Sequence, residues 1–70
     1  MPAPPAYQRI ADDLRTQIRT GRLKAGDRLP TQPEMADRYH CSVQPVRAAL
    51  LRLELEGLIE SRQGVGSFVR

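Results

Sequence analysis

The side chains best suited to do chemistry lie together in the segment SVQPVR, which spans residues 42–47. This segment offers the hydroxyl of Ser42, the carboxamide of Gln44 and the guanidinium of Arg47. Hydroxyl and guanidinium groups bind phosphate oxygens, and arginine and glutamine also make paired hydrogen bonds to the edges of guanine and adenine. If the three side chains share one face, the segment is suited to bind a nucleic acid.

Catalysis and metal binding have no comparable support in the sequence. His40 and Cys41 are the only histidine and the only cysteine, whereas a zinc site needs three or four protein ligands. Asp12 and Asp13 have no second acidic cluster with which to form an acid–base pair, so we expect them on a solvated helix face. We therefore predict that the protein is not an enzyme and that it needs no cofactor and no metal.

Size and charge agree with a small binding module. Seventy residues form one domain at most, with a core that contributes roughly 3–5 kcal/mol of stability. The net charge is +3, and the eleven lysines and arginines are spread along the chain, so a basic patch must be assembled by folding. The first ten residues lack the layout of a signal peptide and no apolar run could span a bilayer. We expect a cytoplasmic protein with no membrane partner.

The elements that must position these side chains can be predicted from periodicity and from capping residues. After a flexible lead-in over residues 1–6, apolar residues recur every four positions and predict a helix over 7–20 that ends at Gly21. Thr31 followed three residues later by Glu34 forms a capping-box pattern and predicts a second helix over 32–39. We expect His40, in the short connector, to adopt an unusual turn conformation.

The third helix is predicted over residues 43–56, with Ser42 as its N-cap and Gly57 as its C-terminal stop. Its apolar residues recur at helical spacing and should face the core: Val46, Ala49, Leu50 and Leu53. Segments 58–62 and 67–70 flank a glycine-rich turn and predict a β-hairpin. The expected fold is mainly α with a small hairpin, a winged helix-turn-helix domain over residues 7–70.

The short connector between the second and third helices prevents them from lying antiparallel, so they must cross steeply. The start of the third helix then projects outward, and such a helix fits the major groove of B-form DNA. The exposed residues of its first two turns are expected to be Ser42, Val43, Gln44 and Arg47, with Ala48 and Leu51 further along the same side.

The stretch LPTQPEMADRYHCSVQPVRAALLRLELEGLIESRQGVGSFV resembles the N-terminal DNA-binding domain of the GntR family of bacterial transcription regulators. The resemblance covers residues 7–69 and rests on the order and spacing of several motifs rather than on any single one. It implies sequence-specific binding of double-stranded DNA, usually in repression, with the third helix in the major groove and the hairpin at the minor groove. The wing ending in Ser67-Phe68-Val69 resembles the HutC-like subgroup.

The resemblance also implies contact roles for individual residues. Ser42 stands where the family has a serine or threonine that commonly reaches phosphate, and Arg47 matches an arginine that contacts DNA. Gly64 matches a wing glycine that lets the backbone approach the minor groove, and Gln63 is its neighbour at the tip. Arg62 remains open between an ordinary strand charge and a wing contact. The full set of predicted DNA-binding residues is Thr31, Ser42, Val43, Gln44, Pro45, Arg47, Arg62, Gln63 and Gly64.

Two positions depart from the family pattern, because Val43 and Pro33 stand where many members have arginine. We therefore expect a different operator sequence rather than loss of binding. Our hypothesis is that Val43 packs on a thymine methyl group and that Gln44 pairs with adenine, as an apolar side chain and a carboxamide favour.

The sequence leaves two other functions open. Some winged helices bind proteins through the third helix or the wing, although here that helix begins with polar residues. An RNA-binding role would favour aromatic platforms, and only 4% of the residues are aromatic. The resemblance to the GntR family also implies a C-terminal domain that binds an effector and forms a homodimer on a palindromic operator. The present chain shows no evident dimer surface in its sequence, so alone we expect a monomer that binds DNA weakly.

Overall fold

Three helices precede a two-stranded hairpin in the computed structural model, which describes residues 3–70. Helix α1 spans Ala6–Arg19, α2 spans Gln32–Arg38 and α3 spans Val43–Leu55, and the hairpin pairs β1 (Ile59–Arg62) with β2 (Gly66–Val69). The predicted fold class is therefore confirmed, and every helix end lies within one residue of its predicted position. Met1 and Pro2, in the predicted lead-in, lie outside the described residues. Within the described part of the chain, no helix is both long enough and apolar enough to cross a membrane.

The core lies where α1, α2 and α3 meet the hairpin. On α3 the predicted core face is confirmed, because Val46, Ala49 and Leu53 are fully buried and Leu50 is 5% exposed. The remaining core residues come from every other element and from the segment before α2: Ile10, Ala11, Leu14, Leu29, Met35, Ala36, Ile59 and Val69. The side chains of Leu51 and Leu55 are instead exposed, at 56% and 78%, so α3 has a solvent face along its whole length.

Helix α2 begins with the predicted capping box. The Glu34 amide donates to the Thr31 hydroxyl at 3.3 Å, and the Thr31 amide donates to the Glu34 carboxylate at 2.9 Å. These bonds from Thr31 favour the charged form of the carboxylate and lower the pKa of Glu34. Two amides that the first turn would otherwise leave unpaired are satisfied within this box.

Helices α2 and α3 both end with a residue in the left-handed backbone conformation. At the end of α3, Gly57 has φ 78°, and the Leu58 amide donates to the Leu53 carbonyl at 3.0 Å. At the end of α2, His40 takes the equivalent position with φ 55°, and the Cys41 amide donates to the Ala36 carbonyl at 2.9 Å. The unusual turn conformation expected of His40 is confirmed. Both ends have the pattern of the Schellman motif, in which a left-handed residue stops the helix.

Replacing His40 with glycine is expected to stabilise the domain by roughly 0.5–1 kcal/mol, because the left-handed conformation strains a residue that carries a Cβ and does not strain glycine. Chemical unfolding followed by circular dichroism measures the effect. Asp37→Gly, inside α2, is the matched control and should destabilise by about 0.5–1 kcal/mol, the ordinary cost of glycine in a helix. Equal destabilisation by both variants would contradict the assigned role of His40.

The hairpin pairs Ile59 with Val69 at its base and Arg62 with Gly66 near its tip. A third segment, which the sequence pattern does not predict as a strand, lies along the free edge of β2. Arg28 forms a bridge with Phe68, and the Leu29 amide donates to the Ser67 carbonyl at 2.8 Å. This pairing holds the segment before α2 against the wing, which we define as residues 59–69.

Candidate nucleic-acid interface

The connector between α2 and α3 occupies only residues 39–42. His40 reverses the chain, and Cys41, half-buried, packs against the core. Fixed in this way, α3 starts at the molecular surface while Val46 behind it is completely buried. Ser42, Gln44 and Arg47 are all exposed, so the three donors identified in the sequence have access to a partner.

Ser42 occupies the N-cap position with an extended backbone, but its side chain makes no capping hydrogen bond. The predicted N-cap position is therefore correct, but the predicted capping hydrogen bond to the Ser42 side chain is absent. An N-cap oxygen accepts from the second or third amide of the helix, and the third residue of α3 is Pro45, which has no amide hydrogen. Pro45 thus removes a capping donor and leaves the Ser42 hydroxyl available to another partner.

Val43 differs from its expected exposure. Its side chain is half-buried and packs against the core, because it lies three residues before the buried Val46 and so on the same side of the helix. Pro45 is half-buried as well. Gln44 and Arg47, also three residues apart, share the exposed face, and Ala48 and Leu51 continue it as predicted.

The wing presents Gln63 and Gly64 at its tip, both exposed. Gly64 has φ 76°, and the turn is closed by a hydrogen bond from the Val65 amide to the Arg62 carbonyl at 3.0 Å. The Arg62 side chain is held within the wing: its guanidinium lies 2.7 Å from the Glu60 carboxylate and 4.8 Å from the centre of the Phe68 ring. Arg62 is therefore a positioned charge that already has a carboxylate partner.

Thr31 is exposed, but the capping box occupies its hydroxyl and places the Glu34 carboxylate beside it. A phosphate contact by Thr31 stays a prediction. A shallow groove separates this end of α2 from the wing, and its walls include Arg28, Gln32 and Ser67. The sequence does not predict Arg28 and Gln32 at this place, because backbone pairing of residues 26–29 with β2 brings the segment to the wing.

The opposite end of α3 is tied to α1 by charge. Arg15 donates from Nε and Nη2 to the two oxygens of the Glu56 carboxylate, at 2.9 and 2.7 Å, and from Nη1 to Asp12 at 2.7 Å. The hydrogen bond from Arg15 lowers the pKa of Glu56.

Asp13, also on α1, accepts a hydrogen bond from the Tyr39 hydroxyl at 2.6 Å. Glu56 and Asp13 therefore join elements of the fold, whereas Asp12 bonds within α1. Residues 3–70 contain no group of three potential ligands that could hold a metal.

The fold and the exposed start of α3 together define a winged helix-turn-helix domain of the nucleic-acid-binding type. A comparison with protein families agrees with this class of protein. The model described as "Bacterial regulatory proteins, gntR family" matches residues 6–69, so the chain belongs to the GntR family.

Individual relatives agree in sequence and in structure. The chain is 42% identical over 66 residues to the mannosyl-D-glycerate transport/metabolism system repressor MngR of Escherichia coli K12, covering 94% of this chain and 28% of that protein. It is 41% identical over 63 residues to the Exu regulon transcriptional regulator of the same strain, covering 90% of this chain and 24% of that protein. The chain thus spans about a quarter of the length of these relatives.

Among solved structures, the crystal structure of AraR(DBD) in complex with operator ORE1 superimposes with a TM-score of 0.94 at 28% identity. The match covers 97% of this chain and 83% of that one. The relatives that resemble this chain in sequence are therefore transcription regulators, and the similar structure contains an operator.

Proposed function

We propose that this chain binds double-stranded DNA in a sequence-specific manner and serves as the DNA-binding part of a transcriptional repressor. The observation that carries the proposal is the start of α3, where Gln44, Arg47 and an uncapped Ser42 hydroxyl are all exposed. Its close likeness to an operator-bound domain and its membership of the GntR family support the same conclusion.

In the proposed complex α3 enters the major groove and the wing enters the adjacent minor groove. Gln44 and Arg47 face the bases, since they extend from the exposed side of the first two turns. Ser42 binds a phosphate through its free hydroxyl. Gln63 and Gly64 approach the minor groove at the wing tip. Of the remaining predicted contacts, Arg62 lies beside them at the end of β1 and Thr31 lies at the start of α2.

Val43 and Pro45, the two half-buried residues of this segment, have less surface available to DNA than Gln44 and Arg47. Val43 has much of its surface against the core, which leaves it less area for a thymine methyl group. We propose that Val43 chiefly fixes the start of α3 by packing, whereas Pro45 withholds a capping donor and so leaves the Ser42 hydroxyl free. Base recognition then depends mostly on Gln44 and Arg47.

Selection from a random duplex library, followed by fluorescence anisotropy on the selected site, tests the proposal. A defined half-site should be enriched, and affinity should fall steeply with salt, with a slope of about −0.9 per neutralised phosphate. Binding that ignores the sequence, or that is as strong for single strands, would contradict it. Salt-insensitive capture of a protein with no duplex binding would favour the protein-interaction alternative.

Gln44→Ala is expected to relax the preference at one base pair, with a loss of roughly 1–3 kcal/mol on the selected site and little loss on random DNA. The physical reason is that the carboxamide makes a paired hydrogen bond to one base, which alanine cannot replace. Competition anisotropy with single-base variants of the site measures the effect. Gln8→Ala, an exposed glutamine of α1, is the matched control. Equal weakening on selected and random duplexes would refute the assignment of Gln44.

Subgroup, cellular location and oligomeric state are properties of the whole regulator of which we propose this chain is the DNA-binding part. We propose a HutC-like regulator of the cytoplasm that binds a palindromic operator as a homodimer, which the resemblance of the wing and the membership of the GntR family support. Two copies of this chain should then occupy an inverted repeat, with half-sites spaced by multiples of a DNA helical turn, roughly 34 Å. Titration of duplexes carrying one or two half-sites, followed by native mass spectrometry, measures the stoichiometry. A single copy on the inverted repeat at saturation would contradict this arrangement.

A further inference from the structure

A second arginine lies beside the wing, on the edge of β2 that is opposite to β1. Arg28 pairs with Phe68 across that edge, and its side chain extends toward the tip and covers Gly66. A Cβ added to Gly66 would lie 3.0 Å from the Arg28 Nε atom and 3.5 Å from Nη2. On the other side of Gly66, the directly paired residue is Arg62. Gly66 therefore lies between two arginines.

The glycine and the arginine are matched to each other. Gly66 has φ 134°, a backbone conformation that residues with a Cβ rarely adopt. The missing side chain leaves the space in which the Arg28 guanidinium lies. A surface arginine ordinarily samples many rotamers, and fixing it in one of them costs entropy. Contact with Gly66 keeps the Arg28 side chain next to the wing. Arg28 therefore loses less entropy when it binds a partner there.

Among the residues that the structure describes, Arg28 takes part in no ion pair. The ion pairs within residues 3–70 are made by Arg15, Arg52 and Arg62. The carboxylate of Glu34 is near enough for Arg28 to contribute to its lowered pKa, but hydrogen bonds to Thr31 are the larger cause. Arg62 differs, because Glu60 holds it at 2.7 Å. Of the two arginines that flank Gly66, only Arg28 has a guanidinium without a carboxylate partner.

We propose that Arg28 is a DNA-phosphate contact that anchors the wing, held in place by Gly66. This inference rests on the proposed function, because a hairpin that enters a minor groove about 6 Å wide meets a phosphate strand on each of its flanks. Arg62 lies on the β1 flank and Arg28 on the other. Arg28 binds the phosphate backbone and therefore contributes to affinity on every sequence, whereas Gln44 and Arg47 contribute to the choice of sequence.

Arg28→Gln tests the inference, with Arg19→Gln as the matched control. Arg19 is an exposed arginine beside Glu56 and Leu58, at the other end of α3. Arg28→Gln should weaken binding to selected and random duplexes by the same factor. It should also reduce the slope of log affinity against log salt by about 0.9, so that from 50 to 200 mM salt the wild type loses about 3.5-fold more affinity than the variant. Arg19→Gln should match the wild type.

Arg28→Lys separates charge from packing, because it keeps the cation and loses the planar group over Gly66. It should restore the salt slope of the wild type; a slope as shallow as that of Arg28→Gln would overturn the inference, since the role of Arg28 would then be structural. Wild-type affinity and slope in Arg28→Gln, while Arg47→Ala loses binding, would also overturn it and would leave the proposed function intact. Failure of the wild-type chain to bind any duplex would instead refute the proposed function. Circular dichroism establishes that each variant is folded.

Discussion

Leu53→Ala is expected to leave a large fraction of the chain unfolded at 25 °C. Leu53 is completely buried on α3, and its carbonyl also accepts the hydrogen bond from Leu58 that ends the helix. Truncating a buried leucine to alanine costs roughly 2–5 kcal/mol, because transfer energy is lost and a cavity remains. A domain of this size has only about 3–5 kcal/mol to lose, so one substitution removes most of its stability.

Thermal unfolding followed by circular dichroism measures this effect. For a domain of 60–100 residues, 1 kcal/mol shifts Tm by roughly 4–8 °C, so Leu53→Ala, at a cost of about 2 kcal/mol or more, should lower Tm by at least about 8 °C. Leu51→Ala is the matched control, because it makes the same chemical change on the same helix at a side chain that is 56% exposed. Its effect should stay within about 0.5 kcal/mol. If both variants melt at the same temperature, the assignment of the core face of α3 is wrong.

Arg47→Ala is expected to cause a large loss of binding to the selected DNA site while leaving the fold intact. Arg47 is exposed on the second turn of α3 and takes part in none of the ion pairs among residues 3–70. An arginine that binds guanine through two hydrogen bonds contributes roughly 1–3 kcal/mol of discrimination, which corresponds to about a 5- to 150-fold loss on the selected site.

The pattern of the loss identifies what Arg47 binds. Contact with a base should remove the preference for the selected site and leave random DNA little affected, whereas contact with a phosphate should weaken both equally and reduce the salt slope. Repeating the library selection with Arg47→Ala gives the base position that is lost. Arg52→Ala, an exposed arginine near the end of α3 whose nearest carboxylate, Glu56, lies 3.9 Å away, is the matched control. Identical binding by the two variants would exclude Arg47 from the interface.

The N-termini of α2 and α3 differ in their capping hydrogen bonds. In α2 the cap is complete, and both partners of the Thr31–Glu34 box are occupied by each other. In α3 a proline stands where the capping amide would be, and the serine hydroxyl stays free. The stabilisation that a cap would add, typically about 1 kcal/mol, is absent from the helix that we propose enters the DNA.

Local sequence determined most of the secondary structure. The spacing of Ile10, Leu14 and Ile18 predicted α1, and the Thr31–Glu34 box predicted the start of α2, because helix periodicity and capping depend only on residues within one or two turns. The sequence also predicted exposure of Gln44 and Arg47. Their contacts with DNA remain predictions, since exposure shows that a side chain is accessible and does not identify its partner.

Which side chains are free to contact a partner depends on packing between elements that are distant in the sequence. Arg62 proved to be held by Glu60 and Phe68, and Arg28 proved to lie against Gly66, a residue 38 positions away in the chain. Periodicity and capping rules report on neighbours along the chain, whereas these contacts depend on how β2 pairs at both of its edges, and that pairing forms only when the helices and the hairpin close around a common core.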